Sequence, residues 1–223
     1  MLQSEAALPA KSLIECVVAN TPEERERVYR LRYECYRRND SIEPSPHHLF
    51  SDRFDAQENS FSFLARSVAG ETLATVRVSV VRADLGWTDS PVRHLFGDHE
   101  IIHGSNPTAF VEVSRLCFAG QGRRASFVQL LTKIATVAEL FGAEWVVACP
   151  RVEHADIYQR LYGFQRLSAP RCYFGVGFET LLLGVKRTVL ADYVRDIKPM
   201  RNAWSRSLAD LAKLVQPDAR GTH

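Results

Sequence analysis

Phe110-Val111-Glu112-Val113-Ser114-Arg115-Leu116-Cys117-Phe118, continuing into Ala119-Gly120-Gln121-Gly122-Arg123-Arg124, is the stretch on which the fold turns. Its first part is mostly apolar and β-prone, and a strand is expected over 109–118. Glu112 sits in the middle of that strand, where a charge must be paired or face a cleft. Arg115 follows three residues later, and in a flat strand residues three apart face opposite sides. The two charges share a cleft only if the strand bulges or splays. Two glycines and two arginines then make a short basic loop. Ser126 to Phe141 follows as an amphipathic helix closed by Gly142.

Working outward, Trp145 to Cys149 is a short apolar strand of the kind buried on both faces. A helix follows over Glu153 to Tyr162, then two strands near Cys172 to Gly175 and Leu181 to Lys186. A helical tail is expected from Val189 to Val215, broken near Pro199. Upstream, Ser12 to Asn20 reads as a first strand. Asn20-Thr21-Pro22-Glu23-Glu24 starts a helix with a polar cap, a Pro in the first turn and acids at the positive end of the dipole. Val28, Leu31, Cys35 and Tyr36 carry that helix to about Arg38. Residues 39–60 form a long loop without a period, a length that often marks function. A hairpin, Phe61 to Ser67 and Thr72 to Arg82, turns at Ala69-Gly70-Glu71. The excursion over 83–107 has Trp87, Leu95 and Phe96 as anchors. The order predicts an α/β (α+β) fold: a mixed central sheet flanked by helices in one domain over residues 1–188, with a helical extension over 189–223 packed on it.

Composition narrows the class of function. The chain has 223 residues, 46% of them hydrophobic, and a formal net charge of +2. One sizeable core is within reach, and no dominant basic face or tail marks a nucleic-acid binder. Residues 1–10 lack the basic start and apolar core of a signal peptide. No apolar run approaches the roughly 20 residues that cross a bilayer. Cys16, Cys35, Cys117, Cys149 and Cys172 are odd in number and widely spaced, which suits reduced thiols in a cytoplasmic protein. His47-His48 stands without further ligands at metal spacing, so no metal is expected. The basic tail, with apolar residues near helical spacing, reads either as a helix packed on the sheet or as an element weakly associated with a membrane surface.

Two local features, taken in order, resemble the GNAT superfamily of acyltransferases. One is the Gly-rich turn Phe118 to Arg124. The other is the helix ending Tyr158-Gln159-Arg160-Leu161-Tyr162-Gly163-Phe164, similar to a Tyr-x-x-x-Gly-Phe ending with one extra residue before the Gly. The resemblance implies that Gly120, Gly122, Arg123, Arg124, Ala125 and Ser126 bind the acyl donor, with Ala148 and Tyr158 alongside its arm. A helix N-terminus there suits an anion. Lys133 and Arg151 are then outer contacts for an acidic carrier protein.

A narrower resemblance runs from Arg30 to about Phe118. Arg32 followed by Tyr36, Asp52-x-x-Asp55, Arg77 and Glu112-x-x-Arg115 are similar to the motif positions of acyl-homoserine lactone synthases and of their relatives, the long-chain N-acyl amino acid synthases. Lactone synthases carry a Trp in the loop after Tyr36, and residues 37–51 have none. That departure favours the amino-acid branch.

The resemblance implies transfer of a fatty acyl group from a thioester to the amino group of an amino acid or similar small amine. The donor is acyl carrier protein phosphopantetheine or acyl-CoA, with no tightly bound cofactor. Such a reaction needs a neutral amine and a route for its proton, and Glu112 is the candidate base. Arg115 joins it, and the freed backbone near Leu116 is placed to polarise the thioester carbonyl. Arg32, Asp52, Asp55, Arg77, Leu116, Cys117 and Phe118 complete the substrate-binding set. Two bland readings stay open: Glu112 and Arg115 as a structural ion pair with Arg77 or Asp55, and the charges as pins that hold the loop to the sheet. Two other functions also stay open, a lactone synthase and a non-catalytic sensor of acylated metabolites.

Overall fold

The computed structural model describes residues 14–103, 109–120, 123–173 and 175–196. Helix α1 (Pro22–Arg38) begins as its sequence dictates. Thr21 Oγ1 accepts from the Glu24 backbone N–H at 3.2 Å, and the Glu24 carboxylate accepts from the Thr21 N–H at 3.3 Å. This reciprocal cap satisfies two orphan donors and places α1 across the sheet.

The sheet has seven strands in the order β1 (Ile14–Val18), β2 (Ser60–Ser67), β3 (Thr72–Val81), β4 (Phe110–Phe118), β5 (Trp145–Ala148), β9 (Leu183–Lys186) and β6 (Gln165–Arg166). Every neighbouring pair is antiparallel except β4–β5. A parallel pair needs a crossover, and helix α4 (Arg123–Leu140) supplies it. Helices α2 (Pro91–Phe96) and α3 (Glu100–His103) form the excursion before β4, and α5 (Ala155–Tyr162) and α6 (Arg187–Asp196) follow β5 and β9. In the excursion Phe96 is fully buried, and Trp87 packs on Phe141 with ring centroids 5.5 Å apart.

Period-2 alternation gives the sheet two different faces. Ala74, Val76, Val78 and Val80 of β3 and Val111 and Val113 of β4 join Leu130, Ile134, Val137 and Ala138 of α4 in the apolar core. Thr75, Arg77, Ser79, Glu112 and Ser114 take the alternate positions; of these Thr75, Arg77, Ser79 and Glu112 are buried polar groups.

The second half departs from expectation in its short strands. The strand expected near Cys172 to Gly175 is a two-residue piece, β7 (Arg171–Cys172), paired with β8 (Glu179–Thr180) in a ribbon outside the main sheet. The edge strand β6 was not expected at all. Two-residue strands carry no period, so only their partners define them. The start of the tail, α6, packs on α4 and β9 and buries Leu190, Ala191 and Val194. The rest of the expected extension, including the break at Pro199, lies outside the described residues.

Candidate active site

The register of β3 against β4 breaks between Thr75 and Arg77, one of the two ways in which Glu112 and Arg115 can come to one face. Arg77 pairs with Ser114 and Thr75 with Cys117, so Arg115 and Leu116 both stand opposite Val76. Arg115 has a φ of 55°, the left-handed region that a non-glycine residue enters only when its surroundings compel it. On the other side, the parallel pairing with β5 stops at Val113↔Ala148. Neither neighbouring strand therefore pairs with Arg115 or Leu116. The bulge shifts the alternation by one residue. Arg115 joins Glu112 and Ser114 on the polar face, while Leu116 and Phe118 pack against the apolar core.

Arg115 enters a charge network there. Its Nη2 donates to Asp52 Oδ2 at 2.8 Å and its Nη1 to the Tyr36 hydroxyl at 3.2 Å. Its guanidinium lies over the rings of Phe50 (4.6 Å), Tyr36 (5.3 Å) and Tyr173 (5.5 Å). Arg77 donates to Asp52 Oδ1 at 2.5 Å and to Ser114 Oγ at 3.1 Å, and stands 3.3 Å from Asp55. Arg32 donates to Asp55 Oδ1 at 2.6 Å and to Ser62 Oγ at 2.9 Å. The loop segment is itself locked: Asp52 caps the 3-10 turn Arg53–Ala56, and Asp55 accepts from the Asp52 N–H at 2.9 Å. The network joins α1, the long loop, β3 and β4, and so pins the loop to the sheet. Arg32 and Arg77 are fully enclosed, whereas Asp52 keeps 21% of its side chain exposed. Burial alone would raise the Asp52 pKa, but Arg77 and Arg115 outweigh it and hold the carboxyl at about 2.

Glu112 stands beside this network rather than in it. It is fully buried, and its Oε2 accepts from the Val92 N–H at 2.9 Å at the start of α2. Burial raises its pKa, opposed by the Val92 N–H, the charge of Arg77 and the Ser90 hydroxyl. None of the ion pairs among the described residues includes it. Its Oε1 is a buried acceptor without a partner, a costly state that a neutral carboxyl or a proton route relieves.

Between the parted ends of β4 and β5 lies a cavity of about 150 Å³. Val113 to Cys117 form one wall, Ala148 to Arg151 the other, and Cys35, Tyr36, Tyr158 and Phe178 close it. Of the residues expected from sequence, Arg115, Leu116, Cys117, Ala148 and Tyr158 line it. Arg32, Asp52, Asp55, Arg77 and Glu112 do not, and Phe118 turns away to pack on Phe127 with ring centroids 6.2 Å apart. Burial first and then Tyr162 raise the Tyr158 pKa, so that phenol stays protonated. The Cys35 thiol donates to the Phe118 carbonyl at 3.4 Å, and the neighbouring Cys117 thiol first, opposed by burial and helped by the Phe118 backbone, lowers the Cys35 pKa to about 7.

At the donor end, Gly120 has a φ of 58°, which suits the turn out of β4. Gly122 lies outside the described residues. Arg123 is the first residue of α4, Arg124 and Ala125 are exposed, and Ser126 is buried with its Oγ unpartnered. Arg151 stands at the cavity with Nη1 on Ser41 Oγ at 3.0 Å and its guanidinium 4.8 Å from the Phe178 ring. Lys133 sits elsewhere, mid-helix beside Cys16 of β1 and about 15 Å along α4 from Arg123. Sequence reasoning missed Phe50, Cys149, Tyr173 and Phe178. Tyr173 and Phe178 are aromatic residues beside strands too short to read, Phe50 lies in the loop without a period, and Cys149 follows the buried strand β5.

Among the described residues, no group of three or more His, Cys, Asp or Glu side chains could hold a metal ion. No described helix is long and apolar enough to cross a membrane.

The model of one protein family, described as N-acyl amino acid synthase FeeM, matches residues 27–186. No curated protein matches the chain. Among solved structures, FeeM, an N-acyl amino acid synthase from uncultured soil microbes, superposes with a TM-score of 0.66 at 14% identity, covering 86% of this chain and 98% of that one. BjaI, a CoA-dependent acyl-homoserine lactone synthase, gives 0.61 at 19% identity over 88% and 98%. The lactone synthase LasI gives 0.58 at 12% identity over 79% and 91%. At these identities the likeness is one of fold, and the fold is that of the GNAT-like acyltransferases.

Proposed function

We propose that this chain, which belongs to the N-acyl amino acid synthase FeeM family and is an acyltransferase acting on an amine, joins a long fatty acyl group from a thioester to the α-amino group of an amino acid. The observation that carries this reading is the cavity between β4 and β5, which opens where the bulge takes Arg115 and Leu116 out of the ladder. An acyl-pantetheine arm enters there from the α4 N-terminus, with its phosphate on the backbone from Gly120 to Ser126 and on Arg123 and Arg124. The acyl chain runs past Ala148, and the thioester carbonyl meets the unpaired backbone near Leu116. Glu112 is the base that takes the proton of the amine. Arg32, Asp52, Asp55 and Arg77 hold the loop that shapes the acceptor side, and Arg115 orients the acceptor. An acyl carrier protein is the donor, since the exposed arginine at the α4 start and Arg151 at the cavity suit an acidic partner. A thioester donor and five free cysteines suit the cytoplasm.

Purified enzyme with acyl carrier protein and CoA thioesters of graded chain length, a panel of amino acids and S-adenosylmethionine tests this reading. Thiol release and mass spectrometry are the readouts. N-acyl amino acids from long-chain thioesters are expected. Formation of acyl-homoserine lactone from S-adenosylmethionine, or no product with any amino acid, would sink it.

A further inference from the structure

The cavity between β4 and β5 is lined by cations. Arg115 and Arg151 both belong to its wall, and among the described residues no Asp or Glu does. Such a wall disfavours an ammonium group and calls for an anion. The donor brings an anion of its own, a phosphate. The described residues of the turn that suits it, Gly120 and Arg124 to Ser126, do not line the cavity. The anion that the wall calls for therefore belongs to the acceptor.

The two guanidinium groups are not equally free to take it. Arg115 has Nη1 on the Tyr36 hydroxyl and Nη2 on Asp52, so a second carboxylate there competes with the first. Arg151 donates from Nη1 to Ser41 Oγ at 3.0 Å and from Nε to Glu153, whose side chain is 55% exposed. Its Nη2 makes no hydrogen bond or ion pair among the described residues. The guanidinium is also held in place. Its carbon lies 4.8 Å from the centre of the Phe178 ring. The Arg151 backbone bridges to Thr180 of β8, and Thr180 Oγ1 donates to the Pro150 carbonyl at 2.6 Å. The Gly177 N–H donates to the Ser41 carbonyl at 2.9 Å, which ties the β7–β8 ribbon to the end of α1. A fork fixed before its ligand arrives loses little freedom on binding. Ser41 follows α1, the helix whose Arg32 and Tyr36 meet the charged face of the sheet. Arg151 thus stands on the acceptor side of the cavity.

We propose that Arg151 receives the carboxylate of the acceptor, which makes the acceptor an α-amino acid with a free carboxylate rather than a simple amine. The inference rests on the proposed reaction and deepens it. Arg151 holds the carboxylate at the Phe178 end of the cavity, and the amine reaches from there toward the thioester carbonyl near Leu116.

The test uses acyl-CoA as donor, so that the pull of Arg151 on an acidic carrier protein does not enter. The acceptors are an amino acid that the parent acylates, its primary amide, and the matching amine without the carboxylate. The parent should prefer the amino acid by roughly 10–100-fold in kcat/KM, the worth of a hydrogen-bonded charge. Arg151→Met should raise KM for the amino acid by a similar factor, leave kcat/KM for the amide and the amine near the parent's, and so erase the preference. Arg151→Lys, which keeps the charge but loses the fork, should retain part of it. KM for acyl-CoA should not move in any of them. If Arg151→Met does not fold, Arg151→Gln, which keeps a donor for Ser41, takes its place. Equal efficiency of the parent with all three acceptors, a preference that survives in Arg151→Met, or an equal loss with every acceptor would each overturn the assignment. A raised KM for acyl-CoA with the preference intact would overturn it as well, since the anion would then be the donor's phosphate. These failures all leave acyl transfer intact. A parent that acylates no amine would instead remove the proposed reaction, and the acceptor site with it.

Discussion

The two faces of β3 and β4 are built on opposite principles. On one, Ala74, Val76, Val78, Val80, Val111 and Val113 meet the apolar side of α4. On the other, Arg77 and Arg115 meet two aspartates from a loop, one of which also holds an arginine from α1, and Glu112 stands beside them. The apolar face is held by non-directional burial, which tolerates substitutions of similar volume. The charged face is held by bonds of fixed geometry, in which each member lacks a substitute. Three guanidinium groups oppose two carboxylates, so an ionised Glu112 nearby would bring the cluster to neutrality. The comparison teaches that α4 and its strands make the platform, while the charged face fixes the loop over the cavity.

The largest effect should come from the charged face. Arg77→Met leaves Asp52 to Arg115 alone and Asp55 to Arg32 alone, and breaking a buried ion pair costs about 3–5 kcal/mol. Denaturant unfolding measures it, and a loss well below that would mean that the loop is held by its aromatic contacts instead. On the apolar face, Ile134→Ala should cost about 2–4 kcal/mol through lost burial and a residual cavity, while kcat at a temperature where the variant is folded stays near the parent's. A large fall in kcat there would erase the division of labour between the faces.

Acid separates the faces further. The folded Asp52 pKa, about 2, is below its unfolded value near 3.9, so its contribution is present above the unfolded value and lost as pH falls through the folded one. About 2 kcal/mol of stability should disappear between roughly pH 4 and pH 2 in the parent. Asp52→Asn should flatten that part of the profile, and Ile134→Ala should leave its shape intact. The smallest effect on stability is expected at the cavity between the faces. Ala148→Phe overpacks the β5 wall at about 1–3 kcal/mol, yet should shorten the preferred acyl chain while activity with short donors persists. An unchanged chain-length profile would place the acyl chain elsewhere.

Much of this was legible in the residues. The cap of α1, the hairpin, β4 and α4 follow from caps, period and turn chemistry, each a local signal. The charged positions were legible as residues out of place: a glutamate in mid-strand, and an arginine three positions on with the wrong parity. That parity left the two charges a common face only if the strand bulged or splayed, and the left-handed Arg115 opposite Val76 is a bulge. The sequence by itself thus determined the fold and which residues are chemically exceptional. Only the tertiary structure decided which of them reach the cavity. Arg115 does and Glu112 does not, because burial depends on what packs above the strand. Tyr173 and Phe178 were invisible for the same reason. They flank two-residue strands without a period, and enter the site through contacts with Arg115 and Arg151, tens of residues away in the chain and adjacent only after folding.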